Sequence, residues 1–200
     1  MRANVVLIIV MFLVVVALVV FFTTSFKKHV LTKEEAERYV IEDLRAKFPN
    51  ADKYGVISIE NESGSWKVEA SVVHEAGSRC PKRTHVFYDY PRSGFALREE
   101  NITKGCRICV AEPLCIIVYP EEAIIASHTL PGSDRTVEFL GLHTDAVADA
   151  EFRSVYEHGG RKYSNVWVVR WYSRSANMTH YVVIAKTNAT IYEEFSVEGA

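Results

Sequence analysis

Glycine and proline are scarce, at 10 and 6 of 200 residues, which excludes a collagen-like or low-complexity chain. Charge of one sign is also lacking. Lys and Arg total 23 against 25 Asp and Glu, a formal net charge of -2, so no basic excess points to nucleic acid. The chain has no Gly-x-Ser-x-Gly elbow, no His-Glu-x-x-His pair and no phosphate loop, which removes the usual signatures of a serine hydrolase, a zinc peptidase and a P-loop enzyme. His128, His143, His158 and His180 show no ligand spacing. His74, Cys80 and His85 flank one loop, but scattered surface histidines are the simpler reading. No catalytic residue, metal ligand set or cofactor is therefore expected, and the chain reads as a non-enzyme.

What the chain does have is a long apolar run. Of the first 22 residues, 20 are hydrophobic, the exceptions being Arg2 and Asn4. Val5 to Phe22 is uninterrupted, and 18 residues at helical rise span roughly 27 Å, close to a bilayer's hydrocarbon thickness. A retained transmembrane anchor over 5–22 is expected, after a short tail at 1–4 and before a linker at 23–31. A cleaved leader is the alternative, although the run is long for one and no Ala-x-Ala site follows. Flanking charge does not orient the segment, because Arg2 is answered by Lys27 and Lys28. Sequons do. Four of seven asparagines, Asn61, Asn101, Asn177 and Asn188, begin Asn-x-Ser/Thr, where a chain with 25 Ser and Thr would show about one by chance. As glycosylation candidates they place the body outside the cytoplasm.

The body reads as helix and sheet. Thr32 caps a helix with Glu35 three residues on, and Leu31 and Ala36 sit at staple positions. Ala36, Val40, Leu44 and Phe48 then form one apolar face, and Pro49-Asn50 ends the helix. Strands follow around Val56–Ile59, at Trp66–Val72 with strict alternation, at Thr84–Tyr88 and at Phe95–Arg98. The second half repeats the order. A helix begins at Pro120 and stops at Leu130-Pro131-Gly132, and residues 133–149 have no counterpart in the first half. Strands are expected at 151–157, 166–172, 180–186 and 190–195, with a helix over 144–156 as the rival reading of the first of these. Glu-Glu-Ala recurs at 34–36 and 121–123, and Trp66 and Trp167 occupy matching strands. The acidic pairs complement the helix dipole. Arg79–Arg83 reads as a solvated basic loop. Trp167 and Trp171 share one sheet face and read as core.

Thr32-Lys33-Glu34-Glu35-Ala36, Phe48-Pro49-Asn50-Ala51, Trp66-Lys67-Val68-Glu69, Val86-Phe87-Tyr88-Asp89 and Ser93-Gly94-Phe95-Ala96-Leu97 together resemble the PepSY family. The resemblance covers about 32–100. The second half is more degenerate, since 187–190 lacks the turn glycine. It implies an extracytoplasmic, mostly prokaryotic domain that inhibits or regulates peptidases and has no shared catalytic residues. With the sequons, it points to an archaeal cell surface. No peptidase segment follows the second unit within the 200 residues, so a propeptide role in cis is not expected.

The expected fold class is α+β: a transmembrane helix, then two small units, each one helix on an antiparallel sheet. The units span 32–100 and 119–198, joined by a cysteine-containing linker at 101–118. All four cysteines, Cys80, Cys106, Cys109 and Cys115, lie within 36 residues. Two disulfides are the leading reading, with Cys80 joined to Cys106 or Cys109 and Cys115 taking the other. A zinc site on Cys106-Arg107-Ile108-Cys109 and free redox thiols are the alternatives. The expected function is a cell-membrane protein with an extracytoplasmic binding or regulatory body, acting on a peptidase or another envelope protein or peptide, with no nucleic-acid partner. A structural or assembly role in the envelope, and a thiol-redox or metal-binding role, are the alternatives.

Overall fold

The computed structural model describes residues 32–91, 96–103, 105–109 and 115–199. Helix α1 (Lys33–Lys47) carries Glu34 and Glu35 in its first turn and Arg45 and Lys47 in its last, matching the dipole at both ends. Its apolar face, Ala36, Val40 and Leu44, is fully buried. It packs on a four-stranded antiparallel meander: β1 (Lys53–Glu62), β2 (Ser65–His74), β3 (Lys82–Tyr90) and β4 (Ala96–Asn101). Ser63 and Gly64, both at positive φ, turn β1 into β2. Val68, Ala70 and Val72 of β2 and Val86 and Tyr88 of β3 meet α1 in one core. The Tyr88 hydroxyl, buried there, donates to Asp43 across the helix at 2.8 Å. Burial first, and that carboxylate second, push its pKa well above the usual phenol range.

The second sheet is built the same way from β5 (Val147–His158), β6 (Arg161–Ser173), β7 (Met178–Ala185) and β8 (Ile191–Glu198). Gly159 and Gly160, again both at positive φ, make the β5–β6 turn. Helix α2 (Pro120–Thr129) opens with proline at its first position, where no amide hydrogen is needed. The Glu122 carboxylate accepts from the Val118 and Tyr119 amides at 2.8 and 2.9 Å and closes that end. Helix α3 is Asp134–Leu142. The core between these helices and the sheet holds Ile124, Phe139, Leu140, Trp167, Val169, Trp171, Val182 and Ile184. Both indoles are satisfied inside it: Trp171 Nε1 donates to Ser127 Oγ at 2.9 Å and Trp167 Nε1 to the Ile117 carbonyl at 3.1 Å. Residues 33–200 form one compact unit.

The expected fold class needs correction. The described residues make two four-stranded sheets with three short helices, and the second sheet carries two helices rather than one. Helix α3 fills 134–142, inside the stretch with no counterpart in the first half. It buries only Thr136, Phe139 and Leu140, a three-residue stripe too short to stand out as a period. Among the described residues no helix is long and apolar enough to cross a membrane. The tail, anchor and linker expected at 1–4, 5–22 and 23–31 lie outside the described residues, as do Leu31 and the turn residues 92–95. Between strand and helix at 144–156, the structure takes the strand, starting at Val147.

Candidate functional site

The four cysteines pair as Cys80–Cys106 and Cys109–Cys115, with Cα separations of 5.0 and 5.2 Å. The sequence had left both partners of Cys80 open, and this is one of the two arrangements. Cys80 sits in the β2–β3 loop, so the first bond ties that loop to the connection between the sheets. Among the described residues no cluster of three or more His, Cys, Asp and Glu is placed to hold a metal ion. The glycosylation candidates Asn61, Asn101, Asn177 and Asn188 are all exposed. Asn61, Asn177 and Asn188 lie at or beside hairpin turns, and Asn101 ends β4. Thr103 of the second sequon is buried, donating to the Pro81 carbonyl at 3.0 Å and accepting from the Arg83 amide at 2.9 Å.

In the basic segment at 79–83, Arg79 and Lys82 are exposed, as a solvated loop would have them, but Arg83 is not. Arg79 donates to the Leu140 carbonyl at 2.6 Å, and its own carbonyl accepts from His128 Nε2 at 2.7 Å. Arg83 reaches Glu121 of α2 at 3.0 Å, with side-chain exposures of 11% and 5%. Its guanidinium also lies over the Tyr119 ring at 4.1 Å. Glu121, read from sequence only as a dipole partner, is thus half of a buried ion pair between the two halves. His85 completes this seam. It is 2% exposed, not a surface histidine. Its Nε2 accepts from Arg83 Nε at 2.9 Å, which leaves Nδ1 to donate to Glu69 at 2.8 Å. Burial, then Arg83, lowers its pKa, and Glu69 opposes the shift. His74 and Cys80 do not join it in a ligand set.

Two open surfaces among the described residues bear on function. The first is the edge of the second sheet. Among the described residues, strand β5 has no neighbour beyond β6 except at its start, where the Ala148 amide donates to the Gly77 carbonyl at 2.9 Å. Further along, residues 151–155 are exposed on both faces, and Phe152 and Val155 are 39% and 48% exposed. The second is a groove of about 320 Å³ beside α3, reaching β7 and β8. Its floor includes His180, 2% exposed and stacked on Phe139. Burial first, then Arg135, lowers the His180 pKa, and Glu194 opposes them. No sequence pattern had singled out His180, Thr136, Glu194 or Ser196. The only available signal was His180 alternating onto the core face of an otherwise apolar strand.

No family model matches the chain, and no curated protein does. Among solved structures, a candidate lipoprotein from Clostridium difficile 630 is similar, at 9% identity, covering 86% of this chain and 97% of that one with a TM-score of 0.27. At that score the likeness carries no argument.

Proposed function

We propose that this is an extracytoplasmic binding protein that takes an extended peptide segment onto the free edge of β5, and through it regulates a peptidase or holds an envelope partner. The observation that carries the reading is the β5 edge itself. Edge strands are normally guarded by charge, proline or shortness. This one carries Asp149, Glu151, Arg153 and Glu157, but it is 12 residues long, lacks proline and leaves Phe152 and Val155 in solvent between those charges. An added strand would gain main-chain hydrogen bonds along about 150–158 and contacts to alternate side chains. Two cysteine pairs and four exposed sequon asparagines support a location outside the cytoplasm. The PepSY resemblance supports a peptidase as the regulated partner.

The test is hydrogen exchange on the full-length chain with extended peptides of alternating apolar character. Bound peptide slows exchange of the β5 amides, and Val155→Lys weakens binding by at least about tenfold, an edge charge being the usual guard. Binding that leaves β5 exchange unchanged places the surface elsewhere.

A further inference from the structure

The groove beside α3 contains a hydrogen-bond chain whose direction can be worked out. Glu194 of β8 accepts from the Thr136 amide at 3.0 Å and, through the same oxygen, from the Thr136 hydroxyl. A carboxylate only accepts, so the Thr136 proton is committed to it. Thr136 Oγ1 then offers a lone pair to His180 Nε2, 3.0 Å away, and that nitrogen carries the imidazole proton. The other nitrogen, Nδ1, is left with its lone pair, and Ser196 Oγ lies 2.9 Å from it. Ser196 faces His180 across the β7–β8 pair, so sheet register holds the two together. The base is buried and the hydroxyl exposed, the arrangement a nucleophile and its base require. Glu194 Oε1, 3.8 Å from Nε2 and almost as buried, stabilises the imidazolium that forms when His180 takes a proton.

We propose that Ser196 is an activated nucleophile, His180 its base and Thr136–Glu194 the positioning pair, acting on small carboxylic esters with an apolar acyl chain. Phe139, Leu142 and Met178 line the groove and fit the chain, and Arg135, which also donates to the Glu194 carbonyl at 3.3 Å, brings positive charge to the groove. In the first step Ser196 Oγ bonds to the ester carbonyl carbon and its proton passes to His180 Nδ1. The carbon–oxygen bond to the alcohol then breaks, and the alcohol leaves with that proton. Water, deprotonated by the same nitrogen, cleaves the acyl-serine to the acid and restores the hydroxyl. The net reaction is ester plus water to acid plus alcohol. Such a site has no sequence elbow because its geometry comes from two strands and a helix, and it is recognised by roles rather than by motif.

The test uses the full-length chain with a fluorophosphonate, which phosphonylates activated serines, and with p-nitrophenyl butyrate. One adduct on Ser196 is expected, absent from Ser196→Ala, whose fold is checked by circular dichroism. His180→Gln slows labelling at least about a hundredfold, the usual worth of a general base. Glu194→Gln, a positioning change, slows butyrate turnover and moves its pH profile relative to the parent chain. No adduct on the folded parent chain, an adduct at another residue, or equal labelling of His180→Gln overturns the proposal.

Discussion

The Arg83–Glu121 pair is a residue-scale device with a predictable asymmetry. Glu121 is buried and the Arg83 side chain is only 11% exposed, so removing the carboxylate leaves the guanidinium without its counter-charge. Glu121→Gln is expected to lower unfolding free energy by about 3–5 kcal/mol, whereas replacing both by methionine costs far less or stabilises. Urea titration of Glu121→Gln, Arg83→Met and the double methionine variant checks this, and equal losses in all three would contradict it. The buried histidines supply the second residue-scale effect. Burial lowers the pKa of His85 and His180 in the folded chain below the ordinary 6.5. Between 6.5 and the folded value the unfolded chain binds protons that the native chain refuses. Their contribution is therefore complete above about pH 6.5 and falls away as the medium is acidified, at up to about 1.4 kcal/mol per pH unit for each histidine. The urea midpoint should drop between pH 7.5 and 5.5, and the drop should be smaller in His180→Gln. Asp145 behaves similarly at lower pH. The Ser175 amide, then the Ser173 hydroxyl, holds its carboxyl at about 2, so its share persists until the medium is far more acidic.

At the scale of elements, the sequence is most readable where a pattern is local. The i+4 spacing of Val40 and Leu44 foretells the buried face of α1. The even separation of Trp167 and Trp171 foretells their shared core face, and both are buried. Alternation over Trp66–Val72 marks a strand, although β2 lies at the centre of its sheet and buries Ser71 and Val73 as well. What stayed hidden depends on partners far along the chain. Arg83 meets Glu121 across 38 residues, His180 meets Thr136 across 44, and Thr136 meets Glu194 across 58. No window of 11–18 residues contains such a pair. Helix α3 was missed for the same reason. Its first turn is closed by Glu194 from the last strand, not by a neighbouring capping box. Glu194→Ala is therefore expected to cost about 0.5–2 kcal/mol, as loss of a helix cap does, and to be felt mainly in α3. Amide exchange of 134–142 should accelerate while that of α1 is unchanged.

At the scale of the whole molecule, the links among the described residues that hold the two sheets in one unit include the Arg83–Glu121 pair, the Arg79 contacts to Leu140 and His128, the Ala148–Gly77 backbone hydrogen bond and the Cys80–Cys106 bond. Each sheet with its helices is small, and a small core alone is marginal. The links should make the body unfold as one cooperative transition. The bonds themselves are unequal. Cys80–Cys106 spans 26 residues and Cys109–Cys115 only 6, so loop-closure entropy assigns the first about 3.5 kcal/mol and the second about 2.2. Replacing Cys80 and Cys106 by serine should lower the melting temperature more than replacing Cys109 and Cys115. Adding Glu121→Gln to the first change removes two of these links, and calorimetry should then resolve two transitions. A single transition in that triple variant would mean that the packing of the Arg79 loop against α2 and α3 is enough to couple the halves.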